Sequence, residues 1–361
     1  MSIPATVRAL IKTEPGKAEV QTVALPKLRD GYILVKTTVV ALNPTDPHTV
    51  FDDEGAKPGS RVGCDYAGVV VQVGNNSNFK PGDRIAGWVQ GGNASNIEDG
   101  AFAEYIAVKE GIACKIPDNM TDEQAATLGV GVSTVGQGLY QALGLPLPND
   151  ADAIAARAGT PILIYGGSTA TGVLGIQYAK LSGLKVLTTA SPRNHEYLKS
   201  LGADEVYDHS SPTWVDEVRK STGGRLRLCW DCIARDGTPQ ACARALDSDE
   251  PGAKYGVLLP VEAEVVKGVN PGVDGPTFKI AYTTFGEDLY KLGQHLPASE
   301  EDYEFGKVFW KLTEELLAQG KIKPVRQEAD RGGKGLENIF VGIQALRDWT
   351  VSGRKLVYHV A

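Results

Sequence analysis

The stretch 161–185 is the densest run of residues suited to chemistry. Ile162-Leu163-Ile164-Tyr165 has strand character. Gly166-Gly167-Ser168-Thr169-Ala170-Thr171-Gly172 follows, then a helical pattern through Val173, Ile176, Ala179, Lys180 and Leu181, closed by Gly183. Residues 185–189 form a second apolar run. Strand, glycine turn, helix and strand make one βαβ unit of the kind that binds dinucleotides. Glycine lets the backbone turn and approach a pyrophosphate, and the open amides at the helix start hold that anion. Gly166 and Gly172 are the outer glycines of the pattern, and Thr169 stands where the middle glycine belongs. The hydroxyls of Ser168, Thr169 and Thr171 can cap the helix or donate to phosphate oxygens. The plainer alternative is a turn that only joins strand to helix.

The end of the second strand indicates which dinucleotide. An NAD site places Asp or Glu there for the ribose hydroxyls. Here the chain reads Thr188-Thr189-Ala190-Ser191-Pro192-Arg193-Asn194, without a carboxylate. A 2′-phosphate would meet the Ser191 hydroxyl, the Arg193 guanidinium and the Asn194 amide, and Arg suits phosphate because its fork makes charge-assisted bonds. The expected cofactor is therefore NADPH. The competing reading leaves Arg193 solvated at a helix start.

These residues need a frame to hold them. The chain has 361 residues, 42% of them hydrophobic, enough for two domains with sizeable cores. A net charge of −7 argues against nucleic acid or an anionic membrane as partner. No apolar run reaches the roughly 18 residues of a membrane span, and the first residues lack the apolar core of a signal peptide. Five scattered cysteines fit a reducing, cytoplasmic setting.

Residues 1–135 read as strands and turns, with strand patterns at 7–11, 31–40, 67–74 and 103–108 and dense Gly/Pro punctuation. That pattern predicts a partly open barrel. Helical patterns at 122–128 and 135–143 lead onward, and 145–159 reads as an inserted loop with room for a short helix. From residue 161 strands and helices alternate, which predicts a parallel sheet covered on both faces. Strands are expected at 205–207, 226–233, 255–259 and 279–284, with a longer helix at 305–319. The tail, with a helix at 336–346 and a strand at 355–360, is expected to return to the first domain. The fold class is thus α/β: a barrel-like domain from 1–135, completed by 306–361, and a doubly wound parallel-sheet domain from 136–305.

The ordered set Asn43-Pro44-Thr45-Asp46, Gly63-Cys64-Asp65-Tyr66-Ala67-Gly68, Pro81-Gly82-Asp83-Arg84, Leu201-Gly202-Ala203-Asp204 and Gly353-Arg354-Lys355 resembles the medium-chain dehydrogenase/reductase superfamily. Tyr165–Thr171, Ser191–Asn194 and Leu143-Gly144-Leu145-Pro146-Leu147-Pro148 resemble its trans-acting enoyl reductases, the lovastatin-type partners of fungal highly reducing polyketide synthases. The resemblance implies a GroES-like catalytic domain plus a Rossmann cofactor domain. It also implies NADPH-dependent reduction of an α,β-unsaturated thioester on an acyl carrier protein of a partner synthase, by a monomer. The alternatives kept open are a free-standing quinone or enone oxidoreductase and a non-catalytic NADPH-binding protein.

The same resemblance allots roles. In zinc-dependent relatives the metal ligands fall at positions matching Asn43, Cys64 or Asp65, and Val130. That set cannot make a tight three-ligand site, so metal-free chemistry is expected. Cys229-Trp230-Asp231-Cys232 is a C-x-x-C, but it lies in a strand pattern that turns the two thiols to different faces. Thr45, Asp46, Pro47 and His48 are expected at the nicotinamide end, with His48 where some relatives carry a lysine. As a catalytic group His48 would donate to an enolate; the bland reading is a solvated loop histidine. Thr134 is the second catalytic candidate, beside ribose or substrate, or else the N-cap of the helix after it. Gly166, Gly167, Ser168, Thr169, Ala170, Thr171, Ser191, Pro192, Arg193, Asn194, Tyr207, His209, Leu258 and Leu259 complete the cofactor set. Thr134, Thr283, Thr284, Phe285, Gly286, Val357 and Tyr358 are expected to line the substrate channel, although Phe285 and Tyr358 serve equally well as core aromatics.

Overall fold

The computed structural model describes residues 3–53, 56–74, 77–291 and 293–360. In chain order the first strands are β1 (Thr6–Glu14), β2 (Lys17–Ala24), β3 (Tyr32–Ala41), β4 (Asp65–Gln72), β5 (Arg84–Trp88), β6 (Tyr105–Lys109) and β7 (Ala113–Lys115). The parallel-sheet strands follow: β8 (Pro161–Tyr165), β9 (Lys185–Ala190), β10 (Glu205–Asp208), β11 (Leu228–Asp231), β12 (Ala253–Val257) and β13 (Val273–Phe278). The chain ends with β14 (Leu289–Lys291), β15 (Gln294–Leu296), β16 (Gln327–Ala329) and β17 (Lys355–His359).

The chain divides into two compact units, residues 1–133 with 282–361 and residues 134–281. The return to the first unit therefore comes at Tyr282, well before the expected 306. Local bonds explain this. Glu287 accepts from the Tyr32 hydroxyl at 2.8 Å and pairs with Lys109 at 2.6 Å, while Ala94 N donates to Tyr290 O at 2.9 Å.

In the first unit a sheet runs β16-β17-β3-β4-β5-β7, with β6 paired to β3, and β1 and β2 form a separate antiparallel pair. Apolar side chains such as Ile33, Val35, Tyr66, Phe102 and Tyr358 build its core. Trp88 and Trp310 both donate their indole N–H to Ser133 Oγ, at 2.9 and 3.0 Å. The helix Glu300–Ala318 starts earlier than its apolar pattern suggests because Ser299 caps it, accepting from Asp302 N at 3.2 Å.

In the second unit the six parallel strands take the order β10-β9-β8-β11-β12-β13. The order reverses between β9-β8 and β11, so the ligand-binding crevice of such a sheet falls at the carboxyl ends of these strands. Leu163, Leu187, Cys229 and Tyr255 are fully buried, as strands covered on both faces require. A helix over Ala151–Arg157 occupies the expected insertion, capped by Asp150.

Two expectations fail locally. The run 279–284 looks extended by propensity, but Ala281–Phe285 is a 3-10 turn and the edge strand is the earlier β13. Thr283 commits its hydroxyl to Asp302 at 2.5 Å and Gly286 N closes back on Thr283 O at 3.0 Å, which favours the turn. The helix expected from 135 begins at Gly129 and continues as a π-helical run over Gly136–Ala142. Gly129 does not break it. A Cβ there would lie 2.1 Å from Asp65 Oδ1, so glycine lets a buried carboxylate reach the helix start.

Candidate active site

The turn after β8 is held by its own side chains. Gly166 has φ +80°, a conformation that favours glycine. Thr169 Oγ1 accepts from Gly172 N at 2.9 Å and donates to Gly166 O at 2.8 Å. The residue in the middle-glycine place is thus the N-cap of the Ala170–Leu181 helix, and its hydroxyl is spent on the turn. Thr189 Oγ1 accepts from Gly166 N at 3.0 Å, and Thr189 O accepts from Gly167 N at 2.9 Å. A Cβ on Gly167 would meet Thr188 Oγ1 at 2.1 Å, and one on Gly172 would meet Gly166 O at 2.4 Å. Strand, turn and helix pack too closely for any side chain at these two positions. Ser168, Ala170 and Thr171 remain partly exposed at the helix start.

At the end of β9, Pro192–Asn194 forms a 3-10 turn with Pro192 in its first turn. Ser191 Oγ lies 3.2 Å from His209 Nε2, tying the carboxyl ends of β9 and β10. Arg193 is exposed. Asn194 is buried, and its Nδ2 has no hydrogen-bond partner among the described residues. Hydroxyl, imidazole, guanidinium and an unpartnered buried amide fit a phosphate on the adenosine ribose. Tyr207 is drawn elsewhere. Its hydroxyl donates to Glu205, which also pairs with Lys185 at 2.6 Å. After β12, Leu258 is half-buried and donates its amide to Asp231 O at 3.2 Å, while Leu259 is exposed.

The Asn43-Pro44-Thr45-Asp46 segment opens the short helix Thr45–Phe51, with Pro47 buried in its first turn. Asp46 is buried and its Oδ2 accepts from Asn43 N at 2.7 Å. Burial pushes its carboxyl up to about 7, against the lowering effect of that hydrogen bond. His48 points outward. Its Nδ1 lies 2.8 Å from Asp52 Oδ2, and its side chain is 61% exposed.

Asn43 and Asp65, two of the positions expected to match metal ligands in zinc-dependent relatives, are joined here by a lysine. Lys355 Nζ donates to Asn43 Oδ1 at 2.8 Å and to Asp65 Oδ2 at 2.5 Å. The other oxygen of Asp65 accepts from Val130 N at 2.7 Å. The ion pair is buried: the side chains of Lys355 and Asp65 are 3% and 0% exposed. Burial raises the neighbouring Cys64 thiol to about 12, far from a ready thiolate. With both Asp65 oxygens committed and no donor at Val130, this set does not fit a zinc ion. Among the described residues no group of three or more His, Cys, Asp or Glu could hold a metal.

Next to this cluster lie residues that sequence reasoning missed. Lys291 is buried, donates to Gly91 O, and stands 4.8 Å from the centroid of the Tyr282 ring. Burial lowers its pKa, only partly offset by Cys64 and Asp46. The Tyr282 ring packs 5.3 Å from Trp88, which holds Phe285 edge-on at 4.6 Å. A buried lysine 200 residues from its acceptor leaves no periodic mark on the sequence.

The remaining candidates are placed as follows. Thr134 sits inside the Gly129–Val135 helix rather than at a cap. Thr283 and Thr284 belong to the 3-10 turn, and Gly286 follows it with φ +64°. Val357 and Tyr358 are fully buried in β17, and the Tyr358 hydroxyl donates to Arg331 O at 2.9 Å. Cys229 and Cys232 are both buried free thiols.

A mostly antiparallel unit and a six-stranded parallel-sheet unit with a glycine turn after β8 define a class, and comparison with known proteins agrees with it. Residues 29–118 match the alcohol dehydrogenase GroES-like domain family, and residues 170–267 match the zinc-binding dehydrogenase family. Among solved structures, an alcohol dehydrogenase superfamily protein from Novosphingobium aromaticivorans is 22% identical with a TM-score of 0.78, covering 98% of this chain and 100% of its own. The CurK enoyl reductase is 17% identical with a TM-score of 0.75, covering 99% and 100%. Among curated proteins, trans-enoyl reductase ACTTS2 of Alternaria alternata is 45% identical over 98% of this chain and 99% of its own length. Trans-enoyl reductase resD of Aspergillus sclerotiorum is 45% identical over 98% and 100%. The chain belongs to the medium-chain dehydrogenase/reductase superfamily and, within it, to the fungal trans-enoyl reductases. It is accordingly an oxidoreductase acting on carbon–carbon double bonds.

Proposed function

We propose that this enzyme uses NADPH to reduce an α,β-unsaturated polyketide thioester borne on an acyl carrier protein of a partner polyketide synthase. The observation that carries this reading is the end-to-end likeness to trans-enoyl reductases at 45% identity. The site chemistry supports it. Ser191, His209, Arg193 and Asn194 suit a 2′-phosphate, and the partly exposed helix start at Ser168, Ala170 and Thr171 suits a pyrophosphate. The carboxylate that an NAD site places after the second strand is replaced by Ser191.

Bound NADPH supplies a hydride to the β-carbon. The protein's part is to hold donor and acceptor in line and to offer hydrogen bonds to the oxygen on which charge builds. The α-carbon then takes a proton. No zinc is needed, because the buried Lys355 ammonium already neutralises Asp65 where relatives hold the ion. The enzyme acts as a monomer in the cytoplasm. Pro276 in the edge strand β13 and the breaks around it disfavour pairing through that edge. The five described cysteines are unpaired, and among the described residues no helix is long and apolar enough to cross a membrane.

The test is a rate comparison with NADPH between enoyl groups on acyl carrier protein and simple quinones. Faster enoyl turnover is expected. Faster quinone turnover would favour a free-standing quinone oxidoreductase, and NADPH binding without turnover of either would make the chain a binding protein.

A further inference from the structure

Two hydroxyls in the first unit are buried without a well-formed hydrogen bond. Tyr282 is 5% exposed, and its Oη has no hydrogen-bond partner among the described residues. Thr45 Oγ1, in the Asn43–Asp46 segment, is in the same condition. The Tyr282 hydroxyl approaches the Thr45 and Cys64 side chains, close enough for both to act on it, but without hydrogen-bond geometry to either. A third unpartnered atom, Asn43 Nδ2, lies two residues before Thr45.

Leaving a buried hydroxyl unpaired is unfavourable, and native structures avoid it unless something else binds there. The Tyr282 ring is firmly placed, with Trp88 at 5.3 Å on one side and the Lys291 ammonium 4.8 Å from its centroid. Lys291 is itself fixed by its bond to Gly91 O. Rings held this way do not swing out to find water. Burial also keeps the phenol protonated, so it is a donor and not a base.

We infer that Tyr282 Oη and Thr45 Oγ1 form a pair of hydrogen-bond donors for the carbonyl oxygen of the substrate thioester. The inference rests on the enoyl reductase reading and adds the donors it lacks. As hydride reaches the β-carbon, negative charge develops on that oxygen. Two preorganised O–H groups stabilise it without transferring a proton. The proton that completes the α-carbon comes from water, so the tyrosine stays neutral throughout. Lys291 is a positioning residue: it fixes the ring and adds positive potential beneath it.

The test is Tyr282→Phe, which removes one oxygen and nothing else. Wild type and variant are compared for NADPH-driven reduction of a crotonyl thioester, for NADPH affinity by fluorescence and for thermal midpoint. The expected result is a fall in kcat of about a hundredfold, unchanged NADPH affinity and a thermal midpoint that is equal or higher, because an unpaired buried hydroxyl is gone. Thr45→Val should also slow kcat, and the double variant should fall less than the product of the two. Wild-type rates in Tyr282→Phe would overturn the inference, as would a lowered thermal midpoint together with weakened NADPH binding. If wild type itself fails on crotonyl thioesters while reducing quinones, the enoyl reading has failed, and Tyr282→Phe is then scored by its thermal midpoint alone, where a drop counts against the unpaired hydroxyl.

Discussion

Lys355 Nζ lies 2.5 Å from Asp65 Oδ2 and 2.8 Å from Asn43 Oδ1, across 290 and 312 residues of chain. This ammonium binds two residues that the family resemblance sets at metal-ligand positions. Removing it would leave Asp65 charged and sealed from solvent. Lys355→Met should therefore cost about 3–5 kcal/mol. Adding Asp65→Asn should recover much of the loss, since an amide oxygen can still accept from Val130 N. Urea unfolding of the two variants checks this, and equal midpoints would show that the pair is not coupled.

Cofactor choice turns on Arg193 and its neighbours. Arg193→Ala should weaken NADPH by roughly tenfold or more, the loss of one charge-assisted contact, and leave NADH affinity unchanged. Fluorescence titration reads both. Equal NADPH affinity in wild type and variant would remove Arg193 from the phosphate site.

Thr169 closes the turn between β8 and its helix through bonds of 2.8 and 2.9 Å. Thr169→Ala should cost about 1 kcal/mol of stability through the lost cap. Thr169→Ser keeps the hydroxyl and should restore it. If serine behaves like alanine in chemical denaturation, the cap is not the source of the effect.

His359 joins Asp330 at 2.8 Å and Glu123 at 3.0 Å. Burial works against the imidazolium, but the hydrogen bonds and charges of Asp330 and Glu123 outweigh it and raise the pKa above 6.5. A raised folded-state pKa sets the sign: the stabilisation is fully present below the unfolded value and is lost as pH rises through the folded one. The side chain is 27% exposed, so the effect is modest, about 1 kcal/mol. Urea midpoints of wild type and His359→Gln should differ at about pH 5.5 and converge toward pH 9. A difference that grows with pH would contradict this.

The glycine turn between β8 and its helix and the ordered motifs are legible because they are local. Strand, glycine turn and helix leave an apolar rhythm that can be read from residues 161–189, and the missing carboxylate after β9 is visible in one heptapeptide. What stayed hidden was convergence. Tyr282 and Lys291 look like an ordinary turn tyrosine and a surface lysine in sequence, and only folding brings them to Thr45 and Gly91. Propensity misled at 279–284, where β-branched residues form a 3-10 turn because the Thr283 side chain bonds Asp302. His48 looked chemical by its place in the motif, yet the fold points its ring outward to Asp52.

The central claim is most directly tested by isotope transfer. The enzyme would be given an enoyl group on acyl carrier protein and NADPH deuterated at the transferable C4 position. Mass spectrometry and NMR of the product should show one deuterium, at the β-carbon, with the α-carbon proton drawn from solvent. An unreduced acyl chain, with NADPH consumed only when a quinone is supplied, would contradict the account.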